Sequence, residues 1–390
     1  NTVGTVTYHI TPSVSGCSGT SRDYVVTVQP APSFTFTNSS AQICSGSQTN
    51  ILLNTPVAGG QVRLKSVSYG AVSGTLSAGA LYNDGQFITE VLINSTNAPV
   101  TVTYQFEAIV GACGPSASMA TTVVVNPNPT MGINNTTAVI CSGTQPSITL
   151  TSPTSGASIS LQNVSYGAIT GGLYASGGTF TTGAVISESV GGLVNNTNNP
   201  ITITYTFTVS TPLTTPSCPL SATTQSTTVQ VLPEPTIPIV TNNAPTICSG
   251  SQANITLNTA VGGGQIVLSA VNYGAVSGTL SSGLLYSSGQ KVTEVLVNPT
   301  NAPVTVVYQF AVVVGGCVAG PLQTVNVVVN PSPVFSITNN TLEVCEGSPV
   351  NIQLNSPTTG AVITLSSVNY NGVTGTMSPG ATFTNGQFIT

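Results

Sequence analysis

A Cys-x-Gly tripeptide occurs four times at nearly constant spacing, at Cys44, Cys141, Cys248 and Cys345, which lie 97, 107 and 97 residues apart. Three further marks keep step with it. They are a tyrosine 25 residues on (Tyr69, Tyr166, Tyr273, Tyr370), an Asn-x-Thr-Asn-x-Pro turn (Asn94 to Pro99, Asn195 to Pro200, Asn298 to Pro303) and a Pro-x-Pro hinge (Pro30/Pro32, Pro127/Pro129, Pro233/Pro235, Pro331/Pro333). Self-similarity at this period means that the chain folds as an array of units, each burying its own core, and not as one globule. The ten extra residues of the second unit fall between patterned segments, four of them in the Ser210 to Ser217 stretch, where a surface loop absorbs insertion.

Register divides the sequence into a partial unit, 1–31, holding the last two strands of a sandwich; repeats 32–128, 129–235 and 236–332; and a partial fourth repeat, 333–390. Tyr8 matches Tyr104 and Thr390 matches Thr89, so the sequence reads as a segment of something longer. It shows no leader peptide and no apolar run of bilayer length, which predicts no membrane insertion by these residues.

Only 3% of the residues are charged, against about 25% in an ordinary soluble domain. Solubility rests on Thr, Ser, Asn and Gly. A net charge of −5 without a basic stripe gives nucleic acid no electrostatic footing.

The apolar content of 40%, rich in Val, Ile, Thr and Tyr and cut by Gly, Pro and Asn turns, predicts all-β units. Val100, Val102, Tyr104, Phe106 and Ala108 alternate with Thr101, Thr103, Gln105 and Glu107, the pattern of a strand with an apolar face in and a polar face out. Ile201 to Phe207 and Val304 to Phe310 are its copies. Strands are expected near Ser33 to Asn38, Asn50 to Asn54, Gln61 to Tyr69, Phe87 to Ile93, Val100 to Val110 and Ala117 to Val125, with one or two short ones in the Gly-rich middle. Six to eight strands in about 97 residues fit a tandem array of antiparallel, immunoglobulin-like β-sandwiches set end to end. Tyrosine takes the bulky core role, since Trp is absent.

The Cys-x-Gly-x-x-x-Asn-Ile-x-Leu opening, the Val-Thr-Tyr strand, the Cys-bearing late loop and the Val-x-Val-x-Pro ending resemble the PKD-like and Ig-like repeats of very large Bacteroidota surface proteins. Those include gliding-motility adhesins of the SprB type, exported by the type IX system. The resemblance implies a secreted, extracellular, cell-surface β-sandwich stalk.

Eight cysteines with no Cys-x-x-Cys pair predict disulfides in an oxidising compartment. Each unit has an opener (Cys44, Cys141, Cys248, Cys345) and a late-loop cysteine (Cys17, Cys113, Cys218, Cys317). In an Ig-like sandwich the first turn lies where the chain leaves and the last hairpin loop where it enters. A ten-residue strand spans roughly 33 Å, whereas a disulfide tolerates Cα separations of about 4.4 to 6.8 Å. A staggered scheme, Cys44–Cys218 and Cys141–Cys317 with the other four reaching outside this sequence, is therefore favoured. The within-unit alternative, Cys44–Cys113, Cys141–Cys218 and Cys248–Cys317, and a sequential one beginning Cys17–Cys44 stay open.

Catalytic chemistry finds no purchase. His9 is the only histidine and faces outward from a strand whose Val6, Tyr8 and Ile10 point inward, so no catalytic residue is expected. Glu90, Glu188 and Glu294 recur at one position and are read as outward-facing or edge residues that discourage edge pairing. Two unrelated aspartates, Asp23 and Asp84, give no calcium clamp, and Lys65 and Lys291 are not equivalent, which disfavours isopeptide crosslinks. No metal or cofactor is expected. The Asn-x-Ser/Thr sites at Asn38, Asn94, Asn135, Asn163, Asn195, Asn254 and Asn339 follow from composition.

The leading functional reading is a non-catalytic stalk in which each sandwich adds roughly 35 to 45 Å, with neighbouring repeats as its partners. A surface or polysaccharide would be met through parts outside this sequence. Two other readings stand beside it. One is a carbohydrate-binding array, with Tyr82, Tyr174 and Tyr286 as candidates for weak ligand contacts multiplied by avidity. The other is a filament subunit whose N-terminal strands complete another copy's last repeat.

Overall fold

The computed structural model describes residues 2–211, 218 and 224–390; most of the Ser210 to Ser217 insertion lies outside them. All regular structure among the described residues is β. Repeats 1 to 3 each form a sandwich of a five-stranded and a three-stranded sheet. In repeat 1 the larger sheet runs Leu81–Tyr82, Gly60–Ser68, Val100–Val110, Met119–Asn126, Gln42–Cys44, and the smaller Gln86–Ile88, Ile51–Asn54, Thr35–Asn38. A two-stranded ribbon, Val72–Ser73 with Ile93–Asn94, closes one side.

The long strands lie where alternation placed them. The expected strand from Phe87 to Ile93 is instead two short strands, Gln86–Ile88 and Ile93–Asn94, because the chain folds inward between them. The strand Gln42–Cys44 went unforeseen. It pairs in parallel with the last strand of its own repeat, Asn126 opposite Cys44, and three residues carry too little periodicity to read.

Each repeat has its own core. In repeat 1 Ile51, Leu53, Val62, Leu64, Ile88, Val102, Tyr104, Phe106, Ala108, Val123 and Val125 are buried from both sheets. Glu107, expected on the polar face, is buried and accepts a hydrogen bond from Arg63 Nε at 2.9 Å; its copies, Thr208 and Ala311, carry no charge.

A register shift between Gln105 and Phe106, at the same place in all three repeats, lets Gly60–Ser68 change parity midway. Val62 and Leu64 point inward before it, Val67 and Tyr69 after it. Inserting one residue exchanges the two faces of a strand downstream, and so aims Tyr69 at the core.

The partial units are half sandwiches. Gly4–Ile10 pairs with Arg22–Val28, and Val6, Tyr8 and Ile10 share one face as expected. That face is exposed, not buried, because no second sheet covers it among the described residues. His9, on the opposite face, contacts the Asp23 carboxylate of the paired strand. In the fourth repeat Ser336–Asn339, Ile352–Asn355 and Phe388–Ile389 form the small sheet.

Candidate functional site at the inter-repeat joint

The surfaces that recur from repeat to repeat are the ends. Cys44 ends a strand that runs alongside the last strand of its repeat, which fixes it where the chain departs. The late loop follows the long strand at the opposite end. With Val100 opposite Val125 and the strand continuing to Val110, Cys113 lies roughly 30 Å from Cys44 along the sheet. The within-unit pairs Cys44–Cys113, Cys141–Cys218 and Cys248–Cys317 are therefore not formed, and neither is Cys17–Cys44. Cys44 is bonded to Cys218, and Cys141 to Cys317, with Cα separations of 5.8 and 5.6 Å. Each bond joins the exit end of one repeat to the entrance end of the next. Cys17, Cys248 and Cys345 are exposed thiols, and Cys113 is half-buried.

The late loops are braced to receive these bonds. Cys218 is buried, and its carbonyl accepts from Thr211 N at 2.7 Å and Thr211 Oγ1 at 3.0 Å. In repeat 3, Cys317 N donates to Val314 O at 3.1 Å. The loop then passes so close to the preceding hinge that a Cβ on Gly320 would meet Pro235 O at 2.6 Å. Leu232, the last strand residue of repeat 2, packs into the core of repeat 3.

The Asn-x-Thr-Asn-x-Pro turn supplies the second half of the joint. Asn94 is buried; its Nδ2 donates to Ala98 O at 2.9 Å and Val125 O at 2.7 Å, while its Oδ1 accepts from Thr96 N and Thr96 Oγ1. Asn195 and Asn298 repeat the arrangement. A turn held so firmly presents the carbonyl of its second asparagine to the next repeat. Asn97 O accepts from Ser155 N at 2.9 Å, Asn198 O from Gly262 N at 2.6 Å, and Asn301 O from Thr359 N at 2.7 Å. The same contact is thus made at three successive joints, and at two of them a disulfide accompanies it.

Inside each repeat lies a polar cluster that corrects the reading of Glu90, Glu188 and Glu294. They are not outward-facing: all three are buried. Glu90 Oε2 accepts from Tyr69 OH at 2.7 Å, Thr75 N at 2.7 Å and Leu76 N at 3.2 Å, and its Oε1 accepts from Tyr104 OH. Glu188 is held by Tyr166, Tyr205 and Leu173 N, and Glu294 by Tyr273, Tyr308 and Thr279 N. A buried carboxylate is tolerable only when its lone pairs are filled in this way. Close approach is built into the loop: a Cβ on Gly278 would meet Tyr273 Cε1 at 2.0 Å.

Desolvation, reinforced by the hydrogen bond to Glu90, pushes the Tyr104 hydroxyl far above the ordinary tyrosine range; Glu188 and Glu294 do the same to Tyr205 and Tyr308. The folded state holds these protons while the unfolded chain releases them above pH ~10. Stability is therefore fully present below pH ~10 and falls above it, by about 1.4 kcal/mol per pH unit for each of these three residues. Absorbance at 295 nm is expected to show their ionisation only together with loss of β circular dichroism; titration of every tyrosine while the β signal persists would contradict the cluster.

Tyr82 and Tyr286 sit on a short edge strand and pack against their cores. Tyr174 does not share their position, which in repeat 2 belongs to Phe180, paired with Ile159 as Tyr82 is with Val62. Tyr174 lies in the preceding loop, edge-on to Phe180 with ring centroids 5.5 Å apart. Tyr174 N donates to Tyr166 OH as Leu76 N and Leu280 N donate to Tyr69 OH and Tyr273 OH, so Tyr174 occupies the position of those leucines and the three candidates do not form one recurring site.

Residues 1–32 and 245–333 match the PKD-like domain family. No curated protein matches the chain. Among solved structures it is similar to an ICAM-5 ectodomain fragment, at 12% identity and TM-score 0.41, with 91% of each chain covered. It is also similar to FdeC, an Escherichia coli adhesin, at 14% identity and TM-score 0.34, with 77% of this chain and 99% of that chain covered. The chain is a tandem array of antiparallel β-sandwich repeats that matches the PKD-like domain family over part of its length.

Proposed function

We propose that this array is a non-catalytic stalk segment of a large extracellular surface adhesin, holding a tip used in attachment or gliding away from the cell. The observation that carries the reading is the joint. The Asn-turn contact recurs at three boundaries, and Cys44–Cys218 and Cys141–Cys317 reinforce two of them. A joint fixed at two separate points resists both bending and twisting, which is what a spacer requires. Disulfides persist in oxidising surroundings, in keeping with an extracellular location. The partners of each repeat are its neighbours, and a surface or polysaccharide is met by parts beyond these residues.

Small-angle scattering of the 390-residue chain, with a glycan-binding screen on the same sample, tests this reading. The expected result is a rod one sandwich thick that binds no glycan. A compact particle would overturn the stalk, and saturable glycan binding would favour the carbohydrate-binding array.

A further inference from the structure

The two disulfides overlap. Cys44–Cys218 closes one loop and Cys141–Cys317 another, and every residue from Cys141 to Cys218 lies inside both. We infer that the staggered joints form a redundant length limiter, which keeps the array short under tension even when its sandwiches unfold. The inference concerns covalent routing alone and does not depend on what the array is attached to.

In a linear chain of sandwiches, each domain that opens under load releases its whole contour. Here the taut route between the ends runs to Cys44, crosses to Cys218, returns along the backbone to Cys141, crosses to Cys317 and continues to Thr390. Its three backbone stretches hold 44, 78 and 74 residues, about half of the 390. The rest hangs as slack side loops that bear no load.

Overlap has a second effect. With Cys44–Cys218 alone the taut route holds about 217 residues, and with Cys141–Cys317 alone about 215, so losing either bond lengthens it by only about a tenth. Losing both doubles it. Two within-unit crosslinks would behave otherwise, because separate loops release their contents independently. Each opener is spaced from the next late loop by the same repeat, so the backup follows from the stagger itself.

The test is single-molecule stretching of the full 390-residue chain held by its two ends, with free thiols alkylated and the remaining disulfides verified by mass spectrometry. Contour length is read after all sandwiches have opened, at roughly 3.3 to 3.6 Å per residue, so the folding stability of a variant does not enter. The oxidised chain is expected to reach half the length of the reduced one. The double variants Cys44→Ser/Cys218→Ser and Cys141→Ser/Cys317→Ser should each extend about 1.1-fold further than the oxidised parent, and the quadruple variant about twofold further. A double variant that extends 1.5-fold or more would overturn the limiter, as would failure of the remaining pair to form or an oxidised parent as long as the reduced chain.

Discussion

Glu294→Ala is expected to unfold repeat 3 at a temperature roughly 15 to 30 °C below the parent. The substitution strips a buried acceptor from Tyr273 OH, Tyr308 OH and the backbone N–H groups of Thr279 and Leu280, and solvent cannot replace it because Tyr308 is fully buried. Each stranded donor costs about 1–3 kcal/mol, and partial relaxation brings the sum to about 3–5 kcal/mol. A domain of this size shifts by about 4–8 °C per kcal/mol. Glu294→Gln keeps one acceptor oxygen and should lose less than half as much. Differential scanning calorimetry separates the two, and equal melting of both variants and the parent would show that the cluster adds nothing.

Reduction is the second large effect. Cys44–Cys218 and Cys141–Cys317 close loops with sequence separations of 174 and 176, for which the chain-entropy relation gives about 5 kcal/mol each when taken singly. Since each bond spans a boundary, its loss both destabilises and uncouples. The oxidised array is expected to melt with repeats 1 to 3 joined, and the reduced array in separate, lower transitions. An unchanged calorimetric trace after full reduction would mean that the Asn-turn contacts and the hinge packing of Leu232 hold neighbouring repeats together without help.

The sheets were legible because Val100–Val110 and its copies alternate without interruption, and a half-buried strand can hardly do anything else. The staggered pairing was legible for a similarly blunt reason: strand length separates the opener from the late loop of its own unit. The glutamates were misread. Surface position is the ordinary fate of a charged residue, and burial depends on two tyrosines brought in from distant strands, one of them by a bulge. A signal existed nonetheless. Glu90, Glu188 and Glu294 stand 21, 22 and 21 residues after a repeated tyrosine and 14, 17 and 14 before another, in a chain with only nine acidic residues. Where Thr, Ser and Asn already solvate the surface, a charge that recurs in register is better read as a buried one. Tyr174 was misplaced because repeat 2 carries a tyrosine where the other repeats carry Leu76 and Leu280, while Phe180 takes the place of Tyr82 and Tyr286.

Both disulfides join an opener of one repeat to the late loop of the next, and neither reaches further. A gene encoding such an array can therefore gain or lose whole repeats by unequal recombination without leaving a mispaired cysteine at the seam. Deleting one complete period would bring an opener and a late loop of the same kinds together across the new boundary, with the same Asn turn facing the same loop. Length becomes a heritable variable that can drift or be selected while the wiring stays constant.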